Sequence, residues 1–328
     1  MDAGSYAKCG RRMPPRCTAA PSATARFRPG LRMWLPGHTR HRSAQVPDWT
    51  IDGTFTTTVG YGEDEMVGLH VLEVGPEPER LVFLHGLFGQ GKNFGTVAKM
   101  LAEDATSLLV DLPNHGRSPW TDYFDYHLFA DLVAGELVER GAGREPITLV
   151  GHSMGGKVAM QLTLSHPQLV KRLVVIDMSP VDRGDPAEFQ HYADAMTALD
   201  LPVIGSRTDA DAALSVAVPN PRIRSFLLQN LHRTDGPQRW RWLLNLKLLG
   251  ASMNLMSGWP DQQGRRWDGP VLWLAGGRSD FVGERHRPAM TALFPNVELE
   301  VVPDAGHWVH AEQPQAVADA IRRFITRD

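Results

Sequence analysis

The sequence predicts an α/β protein built on a mostly parallel, eight-stranded sheet with helices on both faces. Short apolar runs alternate with helical stretches, the pattern of crossover connections between parallel strands. One pair of alternating segments at the start reads as an antiparallel hairpin, and one late interval, 181–268, breaks the alternation.

In chain order, TFTTTV and GLHVLEV flank a GYGEDE turn and form the hairpin. The buried-type strands RLVFLHG, SLLVDL, ITLVGH and KRLVVIDMS follow, separated by helices near Asn93–Glu103, Tyr126–Arg140 and Met154–Ser165. Beyond the interval come PVLWLAGG, a helix near Glu284–Phe294, VELEVVP and an amphipathic helix from about Pro314. The interval therefore falls between the sixth and seventh strands. Its segment FLLQNLHRTDGPQRWRWLLNLKLLG is rich in Leu, Trp and Arg and is read as helical. An insertion there is expected to form a helical cap over the carboxyl ends of the strands, where open parallel sheets bind ligands. The expected domains are a core of 46–180 and 269–328, a cap of 181–268, and a disordered basic tail at 1–45.

Composition excludes several classes. The 328 residues are 42 % hydrophobic and 22 % charged, ordinary globular values. No apolar run approaches the roughly 18 residues that a membrane-spanning helix needs. Cys9 and Cys17, the two cysteines, lie in the N-terminal stretch, so the folded part is expected to hold no disulfide and no cysteine-bound metal. Residues 1–45 carry a formal charge of +8, which leaves about −11 on the remainder. An acidic body does not suit nucleic acid, whose phosphates need clustered Lys and Arg. The Arg-rich, acid-poor tail also matches an organellar transit peptide. The expected location is the cytoplasm, or an organellar matrix where the tail acts as such a signal.

The motif that points to chemistry is Gly151-His152-Ser153-Met154-Gly155. With 31 glycines in the chain, G-x-S-x-G alone is weak, expected by chance roughly 0.1–0.2 times. Its context is specific: a strand precedes it and a helix follows, the setting of a nucleophile turn. Small flanking residues let the backbones pack closely, and Ser153 falls at a helix N-terminus whose dipole favours a developing anion. A serine hydroxyl needs a base beside it. Among 13 histidines, His307 has the right position, on the loop PDAGHWVHAEQP after the last strand. His310 and Glu312 beside it lack a third spaced metal ligand, so no metal is expected and His310 is read as a surface residue of a first helical turn. His85, His115 and His152 are read as structural hydrogen-bonders. Charge developing on the substrate needs two backbone N–H groups. These are expected from Met154 and from Leu87 in HGLFG, with Phe88 the alternative one residue on.

Together with LHGLFGQGKNF (84–94), DLPNHGRSP (111–119), IDMSP (176–180), FLLQNL (226–231) and AGHWVHAEQP (305–314), these residues make the chain resemble the α/β-hydrolases. More narrowly it resembles the YbfF-type esterases and their mitochondrial relatives among the abhydrolase domain-containing proteins. The motifs run in order from about Leu81 to Asp328. Pro113 departs from the pattern, since the family usually has Arg before Asn114-His115-Gly116; that concerns rim contacts more than chemistry. Asn114, His115 and Ser118 are read as support for the site through turn hydrogen bonds.

The triad acid stays open between two residues. α/β-Hydrolases commonly carry it after the seventh strand, where AGGRSDFV puts Ser279 at the usual position and Asp280 one residue late. The narrower family takes it from the end of the sixth strand, which implies Asp177 in IDMSP, and Asp177 is favoured.

Serine, histidine and acid beside two free amides specify acyl transfer, with an acyl-enzyme on Ser153 and His307 as general base. The resemblance implies a carboxylic ester hydrolase, with acyl thioesters as a second substrate class, so the expected partner is a small-molecule ester or thioester. A carbon–carbon bond hydrolase or a cofactor-free perhydrolase on the same fold stays open. So does a non-catalytic, cap-gated receptor or partner-stabilising protein. With no phosphate-binding glycine loop, dinucleotide fingerprint or metal constellation, no cofactor is expected. The apolar residues Phe226, Leu227, Leu228, Trp240, Trp242 and Leu243 are expected either to line an acyl pocket or to form the cap's own core, the latter favoured.

Overall fold

The computed structural model describes residues 68–327 apart from 77, 237 and 238, together with the backbone of two short strands, Leu31–Trp34 and Arg42–Ala44. Those two strands pair antiparallel, and the first also pairs with Trp120–Thr121. The hairpin strand expected at TFTTTV and the rest of the expected tail lie outside the described residues.

Seven described strands form one sheet: β1 (Val71–Val74), β2 (Arg80–Leu84), β3 (Thr106–Val110), β4 (Ile147–His152), β5 (Val170–Ile176), β6 (Val271–Gly276) and β7 (Val297–Val302). Their order is β7-β6-β5-β4-β2-β3-β1. β1 runs antiparallel to β3, and the other pairings are parallel. Every residue of β3, β4 and β6 is buried, as continuous apolar runs in a parallel sheet require.

The core helices that precede the insertion are α1 (Gly95–Met100), α2 (Tyr126–Glu139) and α3 (Met154–Ser165). The insertion holds α4 (Ala187–Thr197), α5 (Arg207–Leu214), α6 (Pro221–Leu228), α7 (Leu246–Ala251) and α8 (Met253–Ser257). After it come α9 (Arg287–Leu293), α10 (Val309–Glu312) and α11 (Pro314–Ile325). Successive strand residues face opposite sides, so β2 splits between two cores. Leu81 and Phe83 pack with Val97, Leu101, Ile321 and Phe324 under α1 and α11. Val82 and Leu84 pack with Phe129, Val133, Val158 and Leu162 under α2 and α3.

In the insertion the structure differs from the expectation of helix throughout. Leu231–Arg233 and Trp240–Trp242 pair as an antiparallel ribbon. LHR and WRW alternate in polarity about an Asp235-Gly236 turn signal, and the leucine-rich surroundings hide that period of two. Leu228, Leu231 and Trp240 close a small core with Ile204, Ala210 and Leu214. Leu227 and Leu243 are buried too, while Phe226 and Trp242 are partly buried.

The insertion is tied to the core from below. Lys157 of α3, 1 % exposed, donates to the carbonyls of Met256, Ser257 and Gly258 at 3.2, 2.8 and 2.7 Å. The Tyr126 hydroxyl donates to the Met256 carbonyl at 2.7 Å. These carbonyls end α8 and have no helical partner of their own.

α3 meets β2 backbone to backbone. A Cβ on Gly155 would lie 2.3 Å from the Leu84 carbonyl oxygen and 2.5 Å from that of His85, whereas one on Gly135 of α2 meets nothing within 4 Å among the described residues. Gly155→Ala is therefore expected to lower Tm by more than about 5 °C. Gly135→Ala should raise it by about 1–3 °C, since alanine is roughly 0.5–1 kcal/mol better than glycine inside a helix. Calorimetric melts of both variants test this, and similar shifts in the two would contradict it.

Candidate active site

Four neighbouring strands, β5, β4, β2 and β3, are each followed within four residues by a non-glycine residue in the left-handed region. These are Asp177 (φ +48°), Ser153 (φ +54°), Phe88 (φ +60°) and Asn114 (φ +68°). Such conformations cost on the order of 1–3 kcal/mol each and persist where the surroundings over-determine them. Here they gather at one end of the sheet.

Ser153 lies between β4 and α3, 6 % exposed, its N–H donating to the Ile176 carbonyl at 3.2 Å. The glycines around it are required by space. A Cβ on Gly151 would come within 2.3 Å of the Gly155 carbonyl oxygen. The turn brings the Ser153 hydroxyl 3.0 Å from Nε2 of His307. On the other side of the ring, His307 Nδ1 lies 2.8 Å from Oδ2 of Asp177, a fully buried carboxylate. Asp177 Oδ1 accepts from the Gly276 N–H at 3.0 Å, and Oδ2 also accepts from the Ser279 hydroxyl. Phe281 stacks on the His307 ring with centroids 3.8 Å apart. The imidazole is thus held in plane and in position, and the line can move a proton from Ser153 to His307 while Asp177 keeps Nδ1–H engaged.

Asp280 does not join this line. Its side chain is 73 % exposed and pairs with Arg183 at 3.3 Å. The loop after β6 turns Ser279, not Asp280, toward the buried carboxylate. Ser279 is the residue that sequence reasoning left without a role. The signal was there, since it falls at the position where an acid commonly stands.

The N–H groups of Leu87 and Met154 have no intramolecular acceptor among the described residues. Met154 opens α3, whose first N–H groups point out of the helix. Phe88, the alternative to Leu87, spends its N–H on Nε2 of His115 at 3.3 Å. His115 Nδ1 faces the Pro113 carbonyl at 3.0 Å, so the neutral ring donates there and accepts from Phe88. His85 is arranged alike, with Nδ1 on the Gly86 carbonyl at 2.8 Å and Nε2 accepting from the Leu112 N–H at 3.0 Å. His152 Nε2 holds the His307 carbonyl at 2.8 Å.

His310 is the clearest departure from the sequence reading. It is 6 % exposed, not on the surface, with its ring stacked on Phe94 at 4.5 Å and 4.5 Å from His152. Val309 and His310 of the short helix α10 are both buried, so its first turn faces inward. Among the described residues no group of three His, Cys, Asp or Glu side chains is placed to hold a metal, and no helix is long and apolar enough to cross a membrane.

Ser153 and His307 open into a narrow cleft walled by Leu87, Phe189, Phe226 and Trp308. Of the six apolar insertion residues, Phe226 reaches this cleft, Leu227, Leu228, Trp240 and Leu243 serve the interior, and Trp242 packs half-buried against it.

Burial pushes His115 down to about 3, helped by His85, and His310 down to about 3, helped by His307 and His85. His152 is pushed well below the ordinary histidine range for the same reason, with His310 and His307 adding to it. Between about 3 and the ordinary 6.5, the unfolded chain binds protons that the native state does not. Stability is therefore expected to fall as pH drops from 6.5 toward 4. His310 Nδ1 has no hydrogen-bond partner among the described residues, so His310→Phe should change Tm little at pH 7 and flatten the acid-side decline. Melts of both proteins from pH 7 to pH 4 check this, and an unchanged slope in the variant would contradict it.

A family model for the alpha/beta hydrolase fold matches residues 79–314. The chain is 40 % identical over 251 residues to the sn-1-specific diacylglycerol lipase ABHD11 of Mus musculus, covering 75 % of this chain and 80 % of the relative. It is 34 % identical over 245 residues to esterase YbfF of Escherichia coli K12, covering 75 % and 92 %. Among solved structures, a marine microorganism esterase superposes with a TM-score of 0.74 at 30 % identity, covering 79 % of this chain and all of that one. On the match to residues 79–314 and these relatives, the chain belongs to the α/β-hydrolase fold family.

Proposed function

We propose that this chain is a carboxylic ester hydrolase working through an acyl-enzyme on Ser153. The observation that carries the reading is the unbroken line from Asp177 through His307 to Ser153, at 2.8 and 3.0 Å, ending on a serine held at positive φ. The relatives named as esterases and lipases agree with it.

In this mechanism Ser153 Oγ attacks the acyl carbon as His307 Nε2 takes its proton. The Leu87 and Met154 amides stabilise the oxyanion, a contribution worth about 2.7–4 kcal/mol per donor in serine hydrolases. His307 then protonates the leaving alcohol or thiol, and water hydrolyses the acyl-enzyme by the reverse sequence. Asp177 keeps the imidazole in the tautomer with Nδ1–H and stabilises its protonated form. Ser279 and the Gly276 amide hold Asp177 itself. The described residues of 46–180 and 269–328 form the catalytic body, and those of 181–268 act as a cap whose Phe189 and Phe226 narrow the cleft around the acyl group. The substrate is a small-molecule ester, with acyl thioesters as the second class.

Turnover of p-nitrophenyl esters of increasing acyl length, and of a few acyl-CoA thioesters, is expected for the full chain and lost in Ser153→Ala. The acid assignment has its own test. Asp177→Asn should cut kcat by about 10³–10⁴-fold, because the wrong tautomer then faces Ser153, while Asp280→Asn should leave it within about threefold. Equal, mild losses in the two would overturn the assignment.

A further inference from the structure

FLLQNL (226–231), one of the segments behind the family resemblance, ends α6 and carries Gln229 and Asn230. Neither side chain touches Ser153 or His307, yet both are committed to the loop that follows β2. Asn230 is fully buried, and each of its polar groups is used. Its Nδ2 donates to the Phe88 carbonyl at 2.7 Å and to the Leu227 carbonyl at 3.2 Å. Its Oδ1 accepts from Gln90 Nε2 at 2.7 Å, its own N–H donates to Leu227, and its carbonyl accepts from the Leu243 N–H at 2.8 Å. Gln229 meets Asn93 side chain to side chain at 2.9 and 3.3 Å.

Gly86 to Gly89 form a tight turn closed by the Gly89 N–H on the Gly86 carbonyl at 2.9 Å. Leu87 and Phe88 are its central residues, and Phe88 stands at φ +60°, a place where such a turn ordinarily needs glycine. Two contacts hold it there: His115 takes the Phe88 N–H, and Asn230 takes the Phe88 carbonyl. Relaxing Phe88 to negative φ would rotate the peptide between Leu87 and Phe88 and loosen the turn closed by Gly89 on Gly86, whose first peptide, Gly86–Leu87, carries the Leu87 N–H.

We propose that Asn230 is a positioning residue for oxyanion binding, locking from the insertion the turn that presents the Leu87 N–H. The proposal rests on the esterase reading given above. It makes the 181–268 segment part of the charge-stabilising apparatus, so that a competent oxyanion site exists only while this segment is docked. It also explains why a buried amide network, costly to desolvate unless every group is paired, stands at this junction.

The test compares the full-length wild type with Asn230→Asp, Asn230→Ala and Gln229→Ala. Aspartate keeps the size and the acceptor for Gln90 but cannot donate to Phe88; alanine serves should the buried carboxylate prevent folding. Each is measured on p-nitrophenyl butyrate and with an alkyl trifluoromethyl ketone, which forms a tetrahedral oxyanion on serine. In the Asn230 variants kcat is expected to fall by about 10–100-fold, less than full loss of a donor, and the inhibition constant of the ketone to rise in step. KM should stay within about threefold. Gln229→Ala, which removes the Asn93 contacts and leaves the Phe88 carbonyl held, should lower Tm and keep kcat within about twofold. Folded Asn230 variants that retain kcat and ketone affinity would overturn the proposal, as would a loss of kcat with ketone affinity unchanged. Wild type that neither turns over the ester nor takes a fluorophosphonate on Ser153 would overturn the esterase reading, and this one with it.

Discussion

The backbone of α3 approaches the backbones of β2 and β4 with no side chain between them, and the geometry around Ser153 follows from that approach. Gly151 and Gly155 leave only 2.3 Å between an imagined Cβ and the facing carbonyl oxygens. With the helix this close, the chain has to turn sharply between β4 and α3, and the residue in the turn takes a left-handed conformation that L side chains rarely adopt. Ser153 is thereby lifted out of the strand direction and set against His307. Around it, the strained residues at Asp177, Phe88 and Asn114 are each held by hydrogen bonds from a second element. Asp177 is held from β6 and its following loop, Phe88 from His115 and Asn230, and Asn114 from Asn245, whose side chain and N–H both reach it. Strain in one strand end is offset by contacts from the next.

The position of the acid shows how such a site tolerates rearrangement. The imidazole needs a buried acceptor at Nδ1, and it does not matter chemically which strand supplies it. Here β5 supplies Asp177, and the loop after β6 contributes a hydroxyl at the place where an acid would otherwise stand. One residue later, Asp280 is turned to solvent and to Arg183.

Much of this was legible in the residues. Periodicity and punctuation place the strands and the core helices because a parallel sheet needs continuous apolar runs, and α3 spans Met154–Ser165 as the pattern predicts. Ser153 and His307 stand out because strand–turn–helix context and loop position are local properties. What stayed closed was set by contacts between distant segments. Asp177 and Asp280 both follow apolar strands, and only the direction of two loops separates them. Phe88 and Leu87 differ by one residue, and the N–H that is free depends on a histidine 27 residues away. His310 looks like a surface residue because its burial comes from Phe94 and His152, neither adjacent in sequence. The ribbon in the insertion is hidden by composition, since its tryptophans and leucines suit helix and strand alike.

In the mechanism we propose, Ser153 carries the acyl group between the two halves of the reaction, with His307 relaying the proton in each. Rapid quenching of the full chain with an activated ester, followed by mass analysis of the digested protein, tests this directly. A transient adduct of one acyl group is expected on the peptide containing Ser153, formed with the first equivalent of released alcohol and cleared by water. Turnover that proceeds with no such adduct, or with the acyl group on another residue, would contradict it.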